Sequence, residues 1–175
     1  MATTTTKLMT FAEFDAIPDP PDGWLELHHG ELVKVGNPKF LHTRVQWQLR
    51  HLLERSVGQA GFVDKEFPYR PLPEHESWRA DVAFISRERW ASIQDYLFGA
   101  PDIVIEVLSP SNTLDEIVDK RTTCLENGAR EFWVVNPKRC LVEVSTPDGR
   151  SIAYKSGQEI PLLFGGALAV DAIFS

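Results

Sequence analysis

Apolar positions at 41, 45, 49, 52 and 53 recur at helical spacing and predict an amphipathic helix over residues 41–57. Gly58 can end it, and its other face carries Arg44, Arg50, His51 and Arg55. Residues 62–69 and 81–85 read as strands, with a proline-containing loop at 70–77 between them. The run Ile103-Val104-Ile105-Glu106-Val107-Leu108 is the most apolar in the chain and is bounded by Pro101 and Pro110, as in a fully buried strand. Residues 113–126 form a second helix, with Thr113 or Asn112 as cap, Asp115 and Glu116 in the first turn and Gly128 beyond the end. Residues 131–135 return as a strand, so 103–135 is a βαβ unit with parallel strands and a right-handed crossover. Hairpins are predicted at 24–35 around His28-His29-Gly30 and at 141–154 around Asp148-Gly149. A short helix at 10–16 has capping-box spacing between Thr10 and Glu13. Residues 18–23 are a turn, 86–99 a helical excursion, and 162–168 finish the domain.

Length and composition fit one α/β domain over residues 1–175, with 1–7 as a loose threonine-rich tail. No apolar run approaches the ~18 residues that span a bilayer, and the start lacks the apolar core of a signal peptide, so the expected compartment is the cytoplasm. Cys124 and Cys140 sit in no CxxC or Cys/His cluster, which argues against zinc and marks both as packing residues. The net charge of −7 weakens any binding of nucleic acid through a broadly basic surface. It leaves room for a local basic patch or for a bound cation.

Glu106 changes this picture. A glutamate among isoleucines and valines must be paired, protonated or bound to metal. Asp81 opens the preceding predicted strand and can face it across the sheet. Two bare carboxylates ~4 Å apart repel by roughly 4 kcal/mol at an effective dielectric near 20. A divalent cation reverses the sign, and oxygen-only ligands favour Mg²⁺, Mn²⁺ or Ca²⁺ over zinc. Simpler readings stand beside these: Asp81 as a strand-edge residue next to Arg79, Glu106 in a buried pair with lysine or arginine, Lys120 in a surface pair with Glu116. The alternative for Lys120 is a cation reaching back to the strand end. Ser111 has no histidine at useful spacing, so serine hydrolase chemistry has no support.

The runs Arg79-Ala80-Asp81-Val82-Ala83-Phe84-Ile85-Ser86 and Ala100-Pro101-Asp102-Ile103-Val104-Ile105-Glu106-Val107-Leu108-Ser109-Pro110-Ser111 resemble the PD-(D/E)xK nuclease superfamily and, within it, the Uma-two family of restriction-endonuclease-like proteins. Asp115, Lys120, Asn127-Gly128, the run from Glu131 to Pro137, the run from Glu26 to Leu32, and His42 extend the likeness over about residues 8–174. The resemblance implies a restriction-endonuclease-like core, a central mixed β-sheet flanked by helices with added hairpins at both ends. It further implies a Mg²⁺ (or Mn²⁺) cofactor, cleavage of DNA and a homodimer. Carried over by residue, Asp81, Glu106 and the Val107 backbone carbonyl match the metal ligands, and Lys120 matches a catalytic lysine moved onto the following helix. Glu31 and His42 are second-tier candidates, with a solvated hairpin charge and a helix-terminal histidine as their plainer readings. Asp102 and Asp115 read as strand-start and helix-start charges, and His28 and His29 as exposed turn residues. Three positions depart from the pattern: Ala80 replaces proline, Leu108 replaces the motif lysine and Cys124 stands where tyrosine is common. The competing functional classes are a non-catalytic domain that keeps the fold and binds a partner, and a hydrolase of a small phosphate ester.

Overall fold

A computed structural model describes residues 7–175. Residues 1–6 of the expected tail lie outside the described residues, and Lys7 pairs with Glu13 at 2.6 Å. The first helix, α1 (Phe11–Asp15), carries the Thr10/Glu13 capping box that the spacing predicts. The strands β1 (Gly23–His28) and β2 (Glu31–Gly36) then form an antiparallel hairpin. His29 and Gly30 in its turn both take positive φ, 51° and 74°. Two consecutive left-handed residues are what a tight two-residue hairpin requires.

The long helix α2 (Phe40–Val57) leads into β3 (Gly61–Tyr69), β4 (Trp78–Ser86) and the short helix α3 (Arg87–Ser92). Next come β5 (Ile103–Val107), α4 (Leu114–Glu126) and β6 (Glu131–Asn136). The pair β7 (Leu141–Ser145) and β8 (Ser151–Lys155) extends the sheet. The chain closes with β9 (Glu159–Pro161), β10 (Ala167–Ala169) and α5 (Val170–Phe174). The central sheet has six strands in the order β3-β4-β5-β6-β7-β8. Within it only β5 and β6 run parallel, as the βαβ reading requires. Among the described residues, no helix is long and apolar enough to cross a membrane.

Alternation along the strands makes two cores. Val82, Phe84, Ile103, Ile105 and Val107 pack with Val45, Leu49, Leu53 and Val57 of α2. Ala83, Ile85 and Val104 pack with Cys124 of α4, Tyr69 and Trp78. Cys124 is fully buried as a free thiol 3.2 Å from the Tyr69 hydroxyl, consistent with a packing role.

The alternation breaks at one place. Ala80 lies in the α4-side core although Val82 lies in the α2-side core. In β3, Val63 faces α2, while Phe67 and Tyr69 face the other way. Glu66 sits between them with φ +52°, a left-handed conformation inside a strand. Both strands therefore change face beside the same two residues, Glu66 and Asp81. Gly61 keeps β3 and β4 close at their other end, since a Cβ there would lie 2.1 Å from the Ile85 carbonyl oxygen.

Three expectations need correction. Asp81 lies inside β4, which begins at Trp78, because the face change hides the first three residues from a period-two reading. The excursion at 86–99 is helical only over α3. The end of the chain is richer than a closing segment: β9, β10 and α5 supply Ile160, Leu168, Val170 and Ile173 to the α2-side core.

Position 41 also departs from its stripe. Leu41 is 56% exposed, whereas Leu49 is fully buried. Leu49→Ala is therefore expected to cost about 2–5 kcal/mol of unfolding free energy, and Leu41→Ala within about 0.5 kcal/mol. Urea denaturation of the two variants reads the difference directly.

Candidate functional site

The site begins where the β4–β5 ladder ends. The last backbone pair is Val82 with Ile105, and one step further the register sets Asp81 opposite Glu106. On the other side of β4, the β3 register skips the pair in which Glu66 would face Asp81. Three acids thus stand on three adjacent strands. The Asp81 carboxylate fills the break: its Oδ2 accepts the Val107 N–H at 2.6 Å. Its Oδ1 accepts from Gln46 Nε2 at 2.8 Å and faces His42 Nε2 at 2.9 Å. His42 and Gln46 are one turn apart on α2, so this helix places both on the same carboxylate.

Glu106 is buried and has a partner. Lys120 Nζ donates to Glu106 Oε1 at 3.1 Å and to the Arg79 carbonyl oxygen at 3.2 Å. The surface pair of Lys120 with Glu116 does not form, because Glu116 is used in the capping box of α4 with Thr113. The partner that the sequence reading sought for Glu106 in a metal ion is in this structure Lys120. Burial pushes the Glu106 carboxyl up to about 8, with Lys120 opposing the shift and Asp81 adding to it. Lys120 is itself disfavoured by burial, but Glu106, Glu26 and Asp81 outweigh that and hold it charged.

Glu26 is the first residue that sequence reasoning missed. It is buried on β1, where its carboxylate meets Trp24 Nε1 at 3.0 Å and His28 Nε2 at 2.7 Å. Burial raises its pKa, but Lys120, His28 and Trp24 together take it below the ordinary value. Reciprocal Leu27–Ser77 backbone bonds of 2.9 Å fasten this strand beside the start of β4. The alternation of Leu25, Glu26 and Leu27 was the available signal: a charge between a half-buried and a buried leucine.

Gln46 and Glu66 are the others. Gln46 lies on the buried stripe of α2 between Val45 and Leu49, where a polar residue needs partners. Its Nε2 donates to Glu66 Oε1 at 2.6 Å as well as to Asp81. Burial raises the Glu66 pKa, the Gln46 bond opposes this, and Asp81 raises it again. Gln46 Oε1 and Glu66 Oε2 are buried without a hydrogen-bond partner among the described residues.

Other expected residues fall as follows. His42 is in the site: burial works against its charged form, but the Asp81 hydrogen bond and the charges of Asp81 and Glu66 raise its pKa. Glu31 is exposed at the end of the hairpin and is not brought to Asp81 by any side-chain bond among the described residues. Val107 meets Asp81 through its N–H. Arg79 pairs with Asp19 at 3.1 Å and covers Trp24. Asp102 holds the Ser86 N–H at 2.9 Å, and Asp115 sits in the first turn of α4. The histidines at 28 and 29 do more than decorate a turn. His28 stacks on Trp78, and His29 bridges Glu76 and Asp119 of α4 at 3.0 and 2.8 Å.

The donor set suits a hard cation. Every unused acceptor near Asp81 is an oxygen, and two of them are orphaned and buried. Among the described residues, no group of three or more His, Cys, Asp or Glu side chains is arranged to hold a metal ion by itself. Mg²⁺ needs few protein ligands, because it keeps several waters.

A family model described as "Uma2: Putative restriction endonuclease" matches residues 11–169. No curated protein matches. Among solved structures, one described as "a putative nuclease belonging to DUF820 from Anabaena variabilis ATCC 29413" aligns with a TM-score of 0.84 at 20% identity, covering 95% of this chain and 97% of that one. At that identity the likeness shows a shared fold.

A pH test follows from Glu106. Its folded value of about 8 exceeds the ordinary 4.5, so the folded chain holds a proton there that the unfolded chain has lost. The stabilisation from this group is complete below 4.5 and disappears as pH rises through about 8. The unfolding free energy of the wild type minus that of E106Q should fall with rising pH across this window, by at most about 1.4 kcal/mol per unit. Parallel pH curves from chemical denaturation would remove the elevated value.

Proposed function

The chain belongs to the Uma2 family, and from that premise we propose that it is a divalent-metal-dependent endonuclease hydrolysing DNA phosphodiester bonds. The observation that carries the reading is the constellation of Asp81 and Glu106 on neighbouring strands with Lys120 buried against Glu106. Lys120 stands in for the motif lysine that Leu108 replaces: its ammonium reaches the strand end from α4, twelve residues further along the chain.

In this proposal Asp81, Glu106 and the Val107 carbonyl would hold Mg²⁺ or Mn²⁺. When bound, such an ion supplies Lewis acidity and lowers the pKa of water. The chain's own groups do the rest. His42 keeps a proton on Nε2 toward Asp81 and, with Gln46 and the Val107 N–H, fixes the direction of that carboxylate. Lys120 stays charged in a buried setting, where one ammonium stabilises negative charge developing on a phosphoryl group far better than it would in water. Arg44 is exposed on α2 but projects about 200° round the helix from His42, so it would meet phosphates flanking the site rather than the one at Asp81. Arg50 and Arg121 are less free, since they pair with Glu54 and Glu143. We take the working unit to be one restriction-endonuclease-like domain per chain, paired as a homodimer because two strand cuts need two sites, in the cytoplasm.

The same ion pair favours a second reading. Lys120 already occupies Glu106 Oε1 at 3.1 Å. A non-catalytic domain that keeps this fold to bind a partner would need no more than that. Plasmid incubation with Mn²⁺ separates the two. The wild type should nick or cut DNA, D81N and E106Q should lose the activity, and K120M should slow it about 10²-fold or more while still binding Mn²⁺. A wild type that binds Mn²⁺ and leaves plasmid and single-stranded DNA intact refutes the endonuclease.

A further inference from the structure

Arg70 follows directly on β3 and is buried, yet it makes no ion pair among the described residues. Arginine is seldom buried unless it is paired. One N–H donates to the Pro73 carbonyl oxygen, and its Nε has no hydrogen-bond partner among the described residues. Its Cζ lies 3.4 Å from the centre of the Phe11 ring and 4.9 Å from that of Phe98. Stacking occupies the faces of a guanidinium and leaves its N–H edge open to an acceptor. The backbone fixes this placement. Arg70 N–H donates to the Leu97 carbonyl oxygen, and the Arg70 carbonyl oxygen accepts from Gly99 N–H, both at 2.9 Å.

Arg70 lines a cavity of about 350 Å³ between α1, the start of β4 and residues 93–97. That is the lower end of the size range of small-molecule sites. Phe11, Phe14, Phe67 and Tyr96 give it aromatic walls. Its charged lining is three aspartates, Asp15, Asp19 and Asp95, against two arginines, Arg70 and Arg79. An excess of acids disfavours a phosphate or a carboxylate as ligand. Asp15 accepts from the Tyr96 hydroxyl at 3.1 Å, and Asp19 pairs with Arg79. The exposed Asp95 makes no side-chain hydrogen bond or ion pair among the described residues. The cavity thus offers stacking rings, an open guanidinium edge and an open carboxylate.

A ligand that fits is flat, uncharged and edged with both acceptors and donors. Guanine has that chemistry: its O6 and N7 accept from arginine, and its N1–H and amino group donate to a carboxylate. Trp78 and Arg79 of the lining belong to β4, and two strand residues, about 7 Å, separate Arg79 from Asp81. We propose that this cavity is a nucleobase pocket that takes an unstacked guanine from a strand held at Asp81. Stacking on the aromatic walls and the two base-edge contacts offset the cost of unstacking. The inference rests on the reading of the chain as an enzyme acting on DNA, given under the proposed function.

Calorimetric titration of the intact chain with guanosine tests the pocket without any cleavage step. The wild type should bind guanosine saturably, and inorganic phosphate should not displace it. R70M should weaken the binding about tenfold or more. D95N should do the same, and its exposed side chain covers the case in which R70M folds poorly. Circular dichroism confirms folding of each variant. No saturable binding of guanosine, binding that either folded variant leaves unchanged, or displacement by inorganic phosphate overturns the pocket. Plasmid cleavage by a chain that takes no guanosine overturns the pocket alone. Guanosine binding by a chain that leaves DNA intact supports the pocket and overturns the endonuclease.

Discussion

The bond from the Val107 N–H to the Asp81 carboxylate is the constraint around which the site is arranged. Beyond the Val82–Ile105 pair the two strands no longer form a backbone ladder, and a side chain takes the next N–H at 2.6 Å. A buried donor left without a partner costs about 1–3 kcal/mol, so this contact also decides where Asp81 can point. Once its Oδ2 is held in the sheet, Oδ1 can only face α2, and His42 and Gln46 are the residues α2 presents there. The geometry is thereby set by strands and a long helix, elements that position side chains more tightly than loops do.

Electrostatics follow from that placement. Asp81 brings its charge close to Glu106 on one side and Glu66 on the other, and both neighbours are pushed toward the protonated form, chiefly by burial. Lys120 is pinned in the charged state by Glu106, Glu26 and Asp81. The two carboxylates whose titration Asp81 raises are thus unlike in their compensation: one has an ammonium, the other an amide whose own oxygen lacks a donor. Breaking a buried pair by removing one partner costs more than the pair contributes. A structural role alone would therefore make the lysine difficult to replace, which is why retention of Mn²⁺ binding in K120M matters more than loss of activity.

Long periodic elements were legible in the sequence and short or irregular ones were not. The stripe at 45, 49 and 53, the apolar run at 103–107 and the turn dipeptides at 29–30 and 148–149 each carry a period or a turn chemistry that tertiary contacts only reinforce. The strands β9 and β10 have three residues each, too few to show a period. Of the site, Asp81, Glu106, Lys120 and His42 come together, while Glu31 stays at the exposed hairpin end. Glu66 was hidden by its own backbone: with φ +52° it breaks the alternation that a strand reading depends on, and the same break concealed the start of β4. Gln46 is visible as a polar residue on an apolar stripe, where a buried amide needs partners that the local sequence does not name.

Why a sheet should hold so unfavourable a spot is answered by its neighbours. The face change at Glu66 and Asp81 lets β3 and β4 feed both cores, with Val63 and Val82 on the α2 side and Phe67, Tyr69 and Ala80 on the other. Each flank is anchored by burial, and Gly61 holds the two strands in a close approach that no other residue would permit without a shift. Strain and like-charge repulsion of a few kcal/mol are small against the apolar surface secured on both sides. The arrangement would relax if the acids were replaced by apolar residues of similar size, and its persistence as three carboxylates in a chain already carrying −7 is the physical reason to look for cations there.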